Sequence, residues 1–367
     1  MTYRHYSTQV SLYSGKTRAY LRYKDVPFED VTATIPIYRK VIVPNIGRPI
    51  IPVLETPEGE LLQDTTVIID ALEERFPEPS IYPDTPLQRL VALLIEVYAD
   101  EWLVMPAMHY RWHFKRDNLL FILREFGATG MPWLPRALQP IAGIPPALAF
   151  GGGYKKYFGI TKKMHQPIER SLEALFVDLD RHFQEHNFLL GTRPSIGDFG
   201  LVAPMYAHLY RDPYPGRLMK RIAPHLARWV ERMQHPAPKF GEFLPDDGVP
   251  ETLLPVLQRM FDEQVPVLID TIRHLDRWAA AHPDRKRVSR VIGKHRYRLG
   301  GVEEERMVTP FSLWMWQRPL FYYRSLDDAG RAAVDPLIEQ LGGLEAMQTV
   351  GETTLAYRDH KVVIEGR

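Results

Sequence analysis

The order of elements in the first 84 residues leaves few folds open to this chain. Residues 3–10 alternate loosely and read as a strand, and SGKTRAYLRYKD (14–25) reads as a helix closed by Asp25 and Pro27. FEDVTAT (28–34) reads as a second strand. After a Pro- and Ile-rich loop, RPIIPVLET and GELLQ are short apolar runs split by Pro57 and Gly59, which marks a hairpin. DTTVIIDALEERFP then spaces Ile68, Ala71, Leu72 and Phe76 along one helical face and stops before Pro77. The predicted order is strand, helix, strand, hairpin, helix.

From Pro86 the pattern changes to long helices. Leu172, Leu175, Phe176, Leu179 and Phe183 follow the 3.6-residue period. PSIGDFGLVAPMYAHL opens with Ser195 and Asp198 at capping-box spacing. Between them IAGIPPALAFGGGYKKYFG, broken by Pro and Gly, reads as a long loop or lid over 140–160. A third region begins near Val249: a helical stretch at 251–281, a hairpin turned at Gly300 and Gly301, an aromatic helix FSLWMWQRPLFYY and a closing strand pair TTLAYRDHKVVIEG. The aromatic helix carries more apolar surface than a free-standing helix leaves in water, so it is expected to pack on the rest of the chain. The expected organisation is α+β multidomain: an α/β domain at 1–84, an all-helical domain at 85–248 and a small α+β extension at 249–367.

Composition narrows the chemistry. A net charge of +1 gives no overall drive toward nucleic acid or an anionic membrane, and neither partner is expected. No apolar run approaches the ~20 residues that span a bilayer, and the N-terminus lacks the apolar core of a signal peptide, so a cytoplasmic location is expected. The chain has no cysteine. Any sulfur chemistry must therefore come from a bound small thiol.

The stretch VSLYSGKTR (10–18) sets Ser11 and Ser14 where a strand hands over to a helix. The first N–H groups of a helix are unpaired and its dipole is positive there, so an anion such as a thiolate placed at Ser11 is stabilised. A helix cap and a first-turn serine would look the same, as would a plain cap at Asp64 and Thr65 or a strand-edge proline at Pro52.

Together, SLYS (11–14), IIPVL (50–54), LQDTTVIIDAL (62–72) and GTRPSIGDFGL (191–201) resemble, in order and spacing, the glutathione transferase superfamily, in which a thioredoxin-like domain precedes an all-helical one. The resemblance implies a transferase that activates the glutathione thiol for attack on a hydrophobic electrophile, with glutathione as co-substrate and a homodimer as the assembly. It assigns Ser11 to the thiol, with Tyr6 second and Ser14 third. Ile51, before a Pro52 that is cis in the family, would offer its main chain to the cysteinyl portion, and Asp64 and Thr65 would take the γ-glutamyl end. Asp64 is shorter than the family's Glu, Thr65 replaces Ser, and the loop 35–48 is longer than usual. The alternatives are a glutathione-binding or structural homologue without turnover, or a glutathione-dependent reductase or peroxidase. The resemblance does not extend to residues 250–367.

Other motifs carry less. In MHYRWHF (108–114), His109 and His113 lie one helical turn apart and could begin a metal site, but no third ligand stands out and H-E-x-x-H is absent, so no metal is expected. That helix is instead expected to line the electrophile pocket with Tyr110, Trp112 or a histidine. Gly151, Gly152 and Gly153 lack the context of a phosphate loop and read as a hinge. The basic run 273–301 reads as a solvated face offset by Glu303, Glu304 and Glu305.

Overall fold

The computed structural model describes residues 2–235 and 241–366, so residues 236–240 of the expected helical region lie outside the described residues. The N-terminal sheet has strands β1 (Tyr3–Ser7), β2 (Phe28–Thr32), β3 (Val53–Glu55) and β4 (Leu61–Gln63) in the order β2-β1-β3-β4. β1 and β2 are parallel, joined by the helix Leu12–Tyr23, while β3 runs antiparallel to β1 and to β4. A parallel pair needs such a crossover, whereas the β3–β4 hairpin closes with a short turn at Gly59, whose φ of +88° suits glycine. With the helix Thr65–Arg75 on the sheet, this is a thioredoxin-like domain.

The helical region follows. Leu172, Leu175, Phe176, Leu179 and Phe183 are all buried on the helix His165–Glu185, as their spacing requires. Ser195 caps the helix Ile196–Pro204, and Asp198 returns the bond to the Ser195 N–H at 2.9 Å. Two expected loops are in fact helical. Residues 139–157 form the helices Gln139–Ala142 and Ile144–Tyr157, because Pro145 and Pro146 fall in a first turn, where a missing N–H costs nothing. Gly151–Gly153 thus sit inside a helix, and at Gly151 a Cβ would lie 3.0 Å from the Trp112 ring, so close packing and not hinging accounts for that glycine. Likewise 35–46 winds through Ile35–Ile37, Tyr38–Ile42 and Val43–Ile46, capped by Thr34 and ended by left-handed Gly47.

The C-terminal region adds the helices Leu254–Glu263, Val265–Ala281 and Pro310–Ser325 with two antiparallel hairpins, β5–β6 (Lys294–Leu299, Val302–Met307) and β7–β8 (Thr354–Arg358, Lys361–Gly366). Its core is continuous with that of the preceding regions, running from Tyr3 through Trp102 and Trp229 to Trp316 and Leu355. Trp102 shows the joint: its indole N–H donates to Glu263 at 3.0 Å and the Arg306 guanidinium lies over its ring. Among the described residues no helix is long and apolar enough to cross a membrane.

Candidate functional site

Strand register decides which loops meet. Tyr6 pairs with Val53 and Val53 with Gln63. The chain therefore leaves β1 toward Ser11, enters β3 through Ile51 and Pro52, and leaves β4 into Asp64 and Thr65, all at one end of the sheet. The Ile51–Pro52 peptide is cis.

Ser11 is the N-cap of the helix Leu12–Tyr23, its Oγ accepting the Ser14 N–H at 3.2 Å, which leaves its own O–H free to donate. The rival hydroxyls are less available. Ser14 is fully buried and its Oγ accepts the Thr8 N–H at 3.4 Å. Tyr6, 4% exposed, donates to Glu55 at 2.5 Å, and burial with that carboxylate raises its phenol above the ordinary range. Ser11 is half-buried, the most open of the three.

Asp64 caps the helix Thr65–Arg75 at φ +82°, accepting the Thr66 N–H at 2.9 Å. Such a conformation in a non-glycine residue costs on the order of 1–3 kcal/mol and persists only where its surroundings enforce it. Behind Asp64 lies a buried charge cluster. Lys16 reaches Glu96 at 2.7 Å and Asp100 at 2.5 Å. Arg318 lies 3.5 Å from Glu96 and binds Asp70 at 2.6 Å. Carboxylates predominate, and the titration reflects it: desolvation, Glu96 and Asp64 push Asp100 up to about 7 against the pull of Lys16. Desolvation raises Asp64, and desolvation with Asp100 and Asp64 raises Glu101 well above the carboxylate range. Asp100 and Glu101 stand on a π-helical turn, Tyr98–Trp102, which re-aims the chain between two α-helical runs.

Arg111, which no motif singled out, anchors the Ser11 loop. Fully enclosed, it grips Asp212 with two bonds of 2.7 and 2.8 Å and donates to the Ala207 and Val10 carbonyls at 2.7 and 2.9 Å. Arg211 donates to the Gln9 carbonyl at 2.7 Å. The C-terminal region contributes too. Tyr357 donates to Gln63 and accepts from Arg48 at 3.1 Å, Trp314 lies 5.1 Å from the Tyr357 ring, and Thr66 Oγ1 donates to the Met315 sulfur. These contacts bring the C-terminal region against the β4 end and the Thr65 helix.

The helix Val104–His113 departs in part from expectation. Tyr110 is buried with its hydroxyl toward Glu173, whereas Trp112, His109 and His113 line a small cleft with Tyr154 and Lys155. His165 joins the two histidines there. The basic hairpin is offset as expected, with Arg296 at 3.0 Å from Glu303. A larger concavity, about 680 Å³, lies elsewhere between the helix His165–Glu185 and residues 251–258, rimmed by Asp178, Arg181 and Glu251.

Residues 6–80 match the family model "Glutathione S-transferase, N-terminal domain". No curated protein matches. Among solved structures, a glutathione S-transferase from Rhodospirillum rubrum is 16% identical, aligned over 68% of this chain and 97% of its own with a TM-score of 0.42. The beta-etherase LigF from Sphingobium sp. strain SYK-6 is 21% identical over 64% of this chain and 95% of its own, with a TM-score of 0.46. A glutathione S-transferase from Methylobacterium radiotolerans, complexed with glutathione sulfonate, is 20% identical over 68% of this chain and 100% of its own, with a TM-score of 0.37. Residues 6–80 therefore form a domain of the glutathione S-transferase N-terminal kind, and the regions that follow lie outside that family match.

Proposed function

We propose that this chain is a cytoplasmic, homodimeric glutathione transferase that activates the glutathione thiol for attack on a small hydrophobic electrophile. The observation that carries the reading is the convergence, at one sheet end, of a capping hydroxyl with a free O–H, the main chain before Pro52 and a second helix N-terminus backed by surplus negative charge. Glutathione presents complementary groups: a thiol, a peptide backbone, and a γ-glutamyl end carrying both an ammonium and a carboxylate.

In this reading the backbone of Ile51 pairs with the cysteinyl portion as an added strand would. The γ-glutamyl carboxylate meets the unpaired N–H groups and hydroxyl at Thr65, and the ammonium meets Asp64 and the carboxylates behind it. Ser11 donates to the sulfur, lowering the thiol pKa and raising the ionised fraction at neutral pH. The electrophile lies against the helices that carry Trp112 and Tyr154. The homodimer follows from the resemblance.

One observation favours a second reading. The Tyr357, Gln63 and Arg48 contacts tie the extension down beside the γ-glutamyl end, as suits a homologue that keeps the fold without turnover. Calorimetric titration with glutathione and turnover of 1-chloro-2,4-dinitrobenzene separate the two. For Ser11→Ala a charge-assisted hydrogen bond of roughly 1.5–3 kcal/mol is lost, so kcat falls roughly 10- to 100-fold with glutathione affinity nearly intact. Affinity lost with no change in rate per bound molecule assigns Ser11 to the scaffold, and a larger loss in Tyr6→Phe moves activation to the phenol. Light scattering tests the dimer.

A further inference from the structure

His109 and His113 stand one turn apart on the helix Val104–His113, and His165 begins the helix His165–Glu185 that packs beside it. A nitrogen from each lies within 4.8 Å of the others, with ring centroids 4.8 Å apart for His109–His113 and 4.2 Å for His113–His165. His109 is fully buried, and its Nε2 is 2.8 Å from Glu169 Oε1. Its Nδ1, also buried, has no hydrogen-bond partner among the described residues.

A buried imidazole with one nitrogen held by a carboxylate and the other unpartnered beside two more imidazoles has the form of a metal ligand with its supporting carboxylate. We propose that His109, His113 and His165 bind a divalent transition-metal ion of the zinc type, with Glu169 orienting His109. Three neutral nitrogens and no carboxylate ligand favour zinc and its neighbours over calcium or magnesium, which require oxygen. Nitrogens at about 2.0–2.1 Å from zinc in tetrahedral array lie roughly 3.3 Å apart, so the rings close in by side-chain rotation. The fourth position faces the cleft of Trp112, Tyr154 and Lys155, open to water or an anionic ligand that Lys155 would favour.

A second histidine group differs in the decisive respect. It offers two imidazoles and not three: His274 and His295 both direct Nδ1 at Asp270 Oδ2, at 3.2 and 3.1 Å, and although the buried His295 Nε2 is also unpartnered, no third histidine stands beside it among the described residues.

The test uses the full chain, stripped with a chelator, and titrates zinc chloride by calorimetry and cobalt chloride by visible absorption. The expected result is saturable uptake of one equivalent, cobalt d–d bands and a zinc-dependent rise in Tm. His113→Ala and His165→Ala abolish all three; His113 is exposed, so its replacement leaves folding intact. Glu169→Gln weakens binding about 10- to 100-fold at unchanged stoichiometry. Absence of saturable uptake overturns the proposal. So does uptake that survives His113→Ala, or that is lost in His274→Ala. None of these readouts depends on glutathione.

Discussion

At the scale of single residues, the candidate site depends on carboxylates held away from their ordinary protonation. Asp100 sits at about 7 because burial, Glu96 and Asp64 together outweigh Lys16. A cation arriving beside Asp64 favours the ionised form of Asp100, so its binding expels the proton. If the proposed glutathione site is right, linkage makes its affinity for the γ-glutamyl ammonium rise with pH up to about 7 and level off above it, by at most about tenfold per pH unit. S-methylglutathione, whose sulfur cannot ionise, isolates this effect in a calorimetric titration between pH 6 and 8, and heats in two buffers count the proton released. In Asp100→Asn the profile should flatten, with Lys16 still held by Glu96. A flat wild-type profile would remove the ammonium from this cluster. Ser11, Asp64 and Thr65 stand out in the sequence through the resemblance of their segments to the family, and helix caps add a local signature of residue type and spacing. Lys16, Glu96 and Asp100 do not: their pairing links helices far apart in the chain, and ionisable residues in sequence ordinarily signify an exposed face.

Elements position those residues, and Arg111 is the clearest link between elements. It joins the helix Val104–His113 to Asp212 and to the main chain at Val10, one residue before Ser11. Removing one partner of a buried pair leaves an uncompensated charge and costs about 3–5 kcal/mol. Arg111→Met is accordingly expected to lower stability by about that amount in urea unfolding, and the Arg111→Met, Asp212→Leu double variant to recover part of it. An equal loss in the double variant would mean the salt bridge itself is secondary to the carbonyl contacts. The capping box offers a second test of the same kind. Asp198 accepts from Ser195 N–H and Oγ, Leu189 N–H and the Trp229 indole, so Asp198→Ala orphans buried donors at roughly 1–3 kcal/mol each, again measured by urea unfolding. This box was plain in PSIGDF. The helix Ile144–Tyr157 was not, because Pro and Gly ordinarily break helices; here the prolines lie in the first turn and Gly151 yields room to Trp112.

For the whole molecule the question is whether the extension is a module or part of the body. A self-contained module has its own core and a polar joint. Here one apolar core runs through all three regions, and the extension buries Trp316, Leu313, Leu320 and Tyr323 within it. The joint itself is specific. Gln264 donates to the Val97 carbonyl, Tyr297 to the Gly159 carbonyl, and Arg318 to Asp70 and Tyr82. The sequence disclosed that FSLWMWQRPLFYY needed a partner surface, but not that its partners include the helix that follows Asp64, since long-range pairing leaves no local pattern. With each large apolar side chain contributing about 1.5–3 kcal/mol on burial, removing the extension strips several such contributions from the other regions at once. The full chain should therefore unfold in one calorimetric transition, with van't Hoff and calorimetric enthalpies that agree. A chain ended at Pro250 should be insoluble or should unfold without a cooperative transition, having lost the partners of Trp102 and Val97. Two resolved transitions in the full chain, or a soluble shortened chain with unchanged Tm, would instead make the extension an independent domain, and Tyr357 would then be a reversible contact beside Gln63 and not a fixed part of the site.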